Sequence, residues 1–563
     1  MPEQTPELVP ELVPERALEP LTRRGFLRGA ALTGGALAAG GLFACAPSSP
    51  GSASPGGAPA PGDIAWDHEV DLVVAGSGTA VLAALVADHA GSSVMLLEKG
   101  AFLGGTTLLS GCVCWVPGNY VMAGLGYGPD VSDEEVLAYL KRADVSDGGT
   151  DELRMDYIKN AREVFRWMEE SLGMEQGIFP ATCDYYDIPG AMGLGRSLGF
   201  VDSVVDERNV GMDEPFAEVF LGRVEEAGIE ALLNTEVTAV IQDEAGRAIG
   251  VKALQGSKEI HVKGNKGVLL GCGGFEHNEE MRKQYLYGPL EGMASPSTNT
   301  GDAHKMGMRV GADLGNMSSI WGNPFYIIGD DPAQNPLADY GMYAGLPGAV
   351  YVNSRGKRFC NEAAGYDVVV NPMYNYSTKT YSFENIPAWM IFDANHVEHY
   401  SWPTFAEEKP EWVAEFASLE ELAQACSIDP EGLLEEISHF NALCADGVDA
   451  DFGRGAWLHD SIQTESFEPR PDLANCCLEA ISTAPFYAVR IGPGAFGTNG
   501  GLKVSTDAQV LDTFGKPIEG LYACGNSTSS IVGSIYPGPG GTVGPGFYQA
   551  FKAANHSLGL GLL

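Results

Sequence analysis

The chain has 563 residues, 45% apolar and 9% aromatic, an ordinary globular composition too long for a single hydrophobic core. Its net charge of −40 excludes nucleic acid and anionic membrane surfaces as partners, because phosphate binding needs clustered Lys and Arg; a solvated acidic surface accounts for it. Eleven cysteines with no CxxC or CxxCH spacing make no disulfide scaffold, zinc site or haem attachment, and spacing lends no support to an iron–sulfur cluster, which stays open.

Residues 1–46 read as an address. Thr22-Arg23-Arg24-Gly25-Phe26-Leu27-Arg28 precedes a glycine-diluted apolar stretch from Gly29 to Ala46, the pattern of a twin-arginine export signal. The stretch is too short and too weakly apolar for a membrane-spanning helix. Leu42-Phe43-Ala44-Cys45 resembles a lipobox, which would anchor the protein through Cys45, whereas Ala44-Cys45-Ala46 offers ordinary cleavage; both stay open. Residues 47–66 form a flexible linker, Pro/Gly/Ser/Ala-rich from Pro47 to Gly62 and unable to build a core.

Asp71 to Ala75 is a short apolar strand running into Gly76-Ser77-Gly78-Thr79-Ala80-Val81. An Ala/Leu/Val-rich helix follows to Ala90, then a second strand from Ser93 to Leu97 that ends on Glu98 and Lys99. This βαβ context makes the glycines a dinucleotide site: Gly76 for the tight turn, Gly78 for close approach to a pyrophosphate at the helix N-terminus. Glu98 lies 22 positions after Gly76, where a carboxylate can accept from a ribose. Val81 occupies the third glycine position, which predicts slightly wider packing of helix on strand.

Further along come Gly104-Gly105-Thr106-Thr107-Leu108-Leu109-Ser110-Gly111, the pair Tyr185-Tyr186 after Asp184, and a buried strand ending in glycines, Val268 to Phe275 with Gly273-Gly274. Then follow Arg358-Phe359-Cys360-Asn361-Glu362 with Tyr366 four positions on, Asp451-Phe452-Gly453-Arg454-Gly455, Ala484-Pro485-Phe486-Tyr487-Ala488, Gly520 to Gly525-Asn526, and Tyr536-Pro537-Gly538-Pro539-Gly540-Gly541-Thr542.

In order and spacing, these glycine turns resemble the fumarate reductase and succinate dehydrogenase flavoprotein superfamily, from Asp67 to the end of the chain. That resemblance implies bound FAD, with Gly76, Gly78, Thr79, Ala80, Glu98, Lys99, Gly104, Gly105, Thr106, Ser110, Gly111, Val237, Gly273, Gly274, Gly525, Asn526, Gly541 and Thr542 as its contacts. Members with covalent flavin carry a His near Thr106; the Gly-Thr-Thr here implies non-covalent FAD. No second GxGxxG follows a strand, so no NAD(P)H site is expected.

Two tyrosines, Tyr366 and Tyr536, stand where the fumarate-reducing branch has arginines. A guanidinium fork clamps carboxylate through two charge-assisted bonds, which a phenol cannot do. The tyrosine pattern instead resembles 3-ketosteroid Δ1-dehydrogenases, and the layout also resembles the exported cardiac-glycoside reductase of gut actinobacteria. Cys183 before the tyrosine pair and the stretch from Trp321 to Pro347 depart from the former pattern.

The resemblance implies a reaction on a neutral 3-ketosteroid-like or unsaturated-lactone substrate, with hydride transfer at flavin N5. Tyr366 is the implied base, hydrogen-bonded by a phenol of the Tyr185/Tyr186 pair, with Tyr186 preferred. Tyr536 and the Gly540 N–H would donate to the carbonyl. The expected fold is α/β (α+β): a Rossmann-like FAD-binding domain over 67–319, an inserted substrate-capping domain over 320–483, and a return over 484–563 that completes the FAD site.

No metal ligand set is expected. A membrane quinone or cytochrome is the expected electron partner, and an exported enzyme fed by one favours reduction over dehydrogenation. The alternatives are an exported reductase of small unsaturated acids and a flavin-containing binding protein without turnover.

Overall fold

The computed structural model describes residues 64–563, apart from 126–129, 147, 180–181, 201–215 and 340–342. The twin-arginine segment, Cys45 and the linker through Gly62 lie outside the described residues.

Strand β1 (His68–Ala75), helix α1 (Val81–His89) and strand β2 (Val94–Leu97) form the expected βαβ unit. Leu72 to Ala75 and Met95 to Leu97 are buried, as a parallel strand covered on both faces requires. Helix α1 buries Val81 through Ala87, so it is apolar all round rather than amphipathic.

Strands β3 (Glu230–Leu232), β4 (Thr235–Gln242), β5 (Ala248–Gln255) and β6 (Lys258–Leu270) follow. Strands β6, β1, β2 and β3 run parallel in that order, while β4 and β5 form an antiparallel meander hanging from β6. Parallel order places the C-terminal ends of β1, β2 and β6 together, where the glycine turns sit.

A second sheet is built from β7 (Gly292–Met293), β8 (Ile320–Tyr326), β9 (Ala349–Asn353), β10 (Ala388–Asp393), β11 (Ala414–Phe416) and β12 (Phe486–Thr498). Strand β12 is its spine: Phe486 to Ile491 pairs with β10, and Ile491 to Thr498 with β8. The sequence reading divides the chain at 319/320 and 483/484, but β12 pairs with strands of the 320–483 segment, and Gly292–Met293 joins the same sheet. A 13-residue strand is long enough to serve that sheet and still deliver Thr498 to the cofactor turns.

The chain then returns to the first sheet through β13 (Gln509–Leu511) and β14 (Pro517–Ala523), β14 lying parallel to β6. The closing helix α2 (Val543–Leu558) packs on α1. Among the described residues, no helix is long and apolar enough to cross a membrane.

Candidate active site

At the first turn, Gly76 has φ +95°, and a Cβ there would lie 2.1 Å from the Gly271 carbonyl oxygen, so only glycine fits. The N–H groups of Gly78, Thr79 and Ala80 donate to no main-chain oxygen among the described residues, and α1 has no side-chain cap. Free N–H groups at a helix start are what a pyrophosphate takes up.

Val81 is fully buried at the third glycine position, and the close contacts are made by glycines elsewhere. A Cβ on Gly271 would sit 2.5 Å from the Ala80 Cβ, and one on Gly546 of α2 would sit 2.8 Å from Thr79 Oγ1. Tightness that the motif normally provides is supplied by the two partner segments.

Buried Glu98 accepts from the Ser77 hydroxyl and the Gly100 N–H, both at 2.6 Å, which fixes its carboxylate at the end of β2. Lys99 is paired with Asp302 at 2.9 Å and Glu236 at 3.2 Å. Val237 lies buried on β4, and Ser110 donates to the Thr107 carbonyl. Gly104 (φ +121°) and Gly105 (φ +52°) turn the loop so that Thr106 Oγ1 meets Asn299 Nδ2 at 2.9 Å; Gly111 closes this loop.

Asn299 in turn donates to Glu276 at 2.7 Å, and a Cβ on Gly273 or Gly274 would strike these two side chains. Gly525 brings its turn against Thr79, and Asn526 Oδ1 accepts from Trp321 Nε1 at 2.9 Å. Gly541 and Thr542 open α2, which also has no side-chain cap. The glycine turns, the two uncapped helix starts and the buried carboxylate fit FAD. Asn299, Glu276 and Gly271 were not foreseen as parts of this cradle; the polar pair has no motif signal because it comes from loops after β6.

Thr106 offers only a hydroxyl in this loop. Acid precipitation should therefore release the yellow colour into the supernatant as FAD. Colour kept in the pellet would show a covalent link.

The tyrosines converge. Tyr185 and Tyr366 rings are stacked with centroids 4.8 Å apart, Tyr366 and Tyr536 are 4.6 Å apart, and Tyr185 and Tyr536 are 5.7 Å apart. Burial pushes the Tyr185 phenol well above its usual range, aided by the Tyr366 and Tyr536 phenols and by a hydrogen bond to Tyr366. A phenol so held stays protonated and donates.

Here the structure corrects the sequence preference for Tyr186. The single Tyr186 hydroxyl proton goes to Asp367 Oδ2 at 2.6 Å, and the ring on Tyr366 belongs to Tyr185. The pair sits in a bend rather than a strand, and the two rings leave it toward different partners.

Tyr366 opens the short helix Tyr366–Val370 with φ +41°, an uncommon value for a bulky residue. Gly365 before it touches the Tyr185 ring, where a Cβ would come within 2.5 Å. Neither feature was foreseen.

The last expected member, Gly540, has φ +87°. Its carbonyl accepts from the N–H groups of Trp115 and Gly544 at 3.1 Å, while its own buried N–H makes no hydrogen bond among the described residues. A buried, idle N–H is rare and suits a carbonyl oxygen.

Ion pairs frame the cluster. Arg358 bonds Glu362 at 2.8 Å and Asp449 at 2.9 Å, and Arg454 bonds Glu362 at 3.2 Å, all with fully buried side chains. This explains the Arg358–Glu362 and Asp451–Gly455 motifs as parts of one buried ion-pair brace that ends four positions before Tyr366. Arg196 is held by Asp130 and Asp184, and Asp184 also accepts from Trp115 Nε1 at 2.7 Å. These three guanidinia are already engaged, and the acids Asp184 and Asp367 add negative character beside the tyrosines.

The family model described as FAD binding domain matches residues 71–543. The chain is 30% identical over 544 residues to 4-oxocyclohexanecarboxylate 2-dehydrogenase of Sinomonas cyclohexanicum, covering 87% of this chain and 93% of that one. It is also 30% identical over 571 residues to 3-oxosteroid 1-dehydrogenase of Mycolicibacterium smegmatis, covering 86% and 97%. Among solved structures, 3-ketosteroid delta1-dehydrogenase from Sterolibacterium denitrificans, in complex with 1,4-androstadiene-3,17-dione, matches with a TM-score of 0.78 and 28% identity over 87% of this chain and all of that one.

Proposed function

The chain belongs to the FAD binding domain family and is an FAD-dependent oxidoreductase acting on CH–CH groups, and from that premise we propose that it desaturates a neutral cyclic ketone at the carbon pair beside the carbonyl. The names of these two relatives share one chemistry: a ring ketone loses hydrogen from the adjacent carbons. The observation that carries the reading is the three-ring cluster of Tyr185, Tyr366 and Tyr536, with the idle Gly540 N–H four positions after Tyr536 in the same turn segment.

Bound FAD supplies the hydride acceptor. The chain's own residues handle the proton and the carbonyl. Tyr366 takes the proton from the α carbon, and the hydrogen bond from Tyr185 stabilises the phenolate character this needs, since a free phenol titrates near 10. Tyr536 and the Gly540 N–H donate to the carbonyl oxygen as it gains enolate charge.

The relatives differ at the far end of their substrates, one of which carries a carboxylate. The engaged arginines and the nearby acids support a neutral substrate here. Flavin-loaded protein mixed anaerobically with a saturated 3-oxosteroid should bleach, and 4-oxocyclohexanecarboxylate should act far more slowly. The opposite order would overturn the neutral-substrate assignment.

Reduction of the enone uses the same groups in reverse, and the Arg23-Arg24 segment, with a membrane electron donor, favours that direction. Supplying an oxidised dye with the ketone, and separately a reduced viologen with the enone, decides between them. Faster enone reduction would replace dehydrogenation as the working direction.

A further inference from the structure

Asp367 directly follows Tyr366 and is buried, at 3% exposure. Its Oδ2 accepts twice, from the Tyr186 hydroxyl at 2.6 Å and from the Tyr536 N–H at 3.0 Å. One oxygen thus joins three segments: the tyrosine pair, the helix start at Tyr366 and the turn carrying Tyr536 and Gly540. Its Oδ1 accepts no hydrogen bond, and no Lys or Arg pairs with the carboxylate among the described residues.

A buried carboxylate without a cation is costly. A neutral amide could accept the same two bonds with less desolvation, so the charge itself needs an explanation. Resting on the proposed roles of Tyr366 and Tyr536, we infer that Asp367 is a positioning residue whose ionised carboxylate holds Tyr186 and the Tyr536–Gly540 turn in register with Tyr366, so that turnover follows its ionisation.

Burial lifts this carboxyl from the usual 3.8 up to about 7, with the bonds from Tyr186 and the Tyr536 N–H, and the nearby Asp367 and Val368 N–H groups of the helix start, pulling the other way. The clip therefore weakens as pH falls through neutrality, because a charged acceptor holds its donors more strongly than a neutral one. The phenols that feel its charge are Tyr139, Tyr185 and Tyr186, while Tyr366 precedes it in the chain and Tyr536 reaches it through the backbone N–H. The charged groups behind them are paired: Asp144 with Arg154, and Asp184 with Arg196. On β8, Tyr326 is spent on Asp339. The Asp367 charge also raises the Tyr185 phenol, which keeps Tyr185 a donor to Tyr366.

Linkage gives a separate sign. With its folded pKa above the unfolded 3.8, the native state binds the extra proton between about pH 4 and 7, so this group's contribution to stability falls as pH rises through that window. Removing the charge should not weaken the fold at pH 8.

The test is Asp367→Asn in the flavin-loaded full chain. Expected are an acid limb near pH 7 in the parent that the variant lacks, a kcat lowered by roughly tenfold or more at pH 8 with KM changed far less, and a Tm at pH 8 no lower than the parent's. Parent-like kcat with the acid limb retained would overturn the inference. So would a kcat loss matched by lost flavin and a lowered Tm, which would mark a structural role. Tyr366→Phe run alongside separates the two readings. If it stays active the proposed function itself fails; if it is inactive while Asp367→Asn is normal, only this inference fails.

Discussion

Tyr366→Phe should lower kcat by about 10²–10⁴ while FAD content, fold and KM stay close to the parent's. The substitution removes one oxygen and leaves the ring that stacks on Tyr185 and touches Tyr536. Phenylalanine meets the same backbone requirement as tyrosine at φ +41°, so no new strain enters. What disappears is the group that takes the α proton, together with the acceptor of the Tyr185 hydrogen bond. Tyr185→Phe should cost less, because it withdraws only the stabilising donor. Rapid mixing with substrate, followed by the rate of flavin bleaching, isolates the chemical step from product release. Near-parental bleaching in Tyr366→Phe would refute the tyrosine mechanism.

The cofactor half of the site was legible because its signals are local. An apolar run from Leu72 to Ala75, a glycine at φ +95° and a carboxylate closing β2 are consecutive or nearly so, and each constrains the backbone directly. Val81 was read as a cause of looser packing, since compensation by Gly271 and Gly546 comes from segments nearly 200 and over 450 residues away. A motif cannot report such partners. The pairing of β12 across the 483/484 boundary was not legible for a related reason: an apolar strand shows its pairing capacity but not which sheet takes it.

The substrate half was legible as residues and not as contacts. Tyr185, Tyr366, Tyr536 and Gly540 were all named, and the structure brings the three tyrosine rings together, with Gly540 packed on the Val113–Cys114 backbone. Which member of the tyrosine pair faces Tyr366 depends on Gly365 leaving room for the Tyr185 ring, a tertiary fact. Asp367 gave no warning because an acid in the first turn of a helix is ordinary, favoured by the helix dipole. Its distinction is burial and the two donors that reach it from 181 and 169 positions away.

Gly540→Ala tests the carbonyl side with the second large effect. At φ +87° an alanine pays the left-handed penalty of about 1–2 kcal/mol. Its Cβ would also stand 2.5 Å from the Val113 carbonyl group and the Cys114 nitrogen. Those are backbone atoms, so the Gly540 peptide must shift instead, and its N–H moves away from where a carbonyl oxygen would sit. Loss of one such donor typically costs around 10²–10³ in kcat, and KM should change much less because the bond strengthens as enolate charge develops. Strain alone must be separated from this. Gly515→Ala is the matched control, with φ +74° and open space around its Cβ, in a turn away from the tyrosines. It should show a similar backbone penalty in Tm and parental kcat. If Gly540→Ala retains flavin and turns over within a few-fold of the parent, the N–H is not a carbonyl donor. Tyr536→Phe, which leaves the peptide in place, should then account for the whole of the carbonyl-side effect.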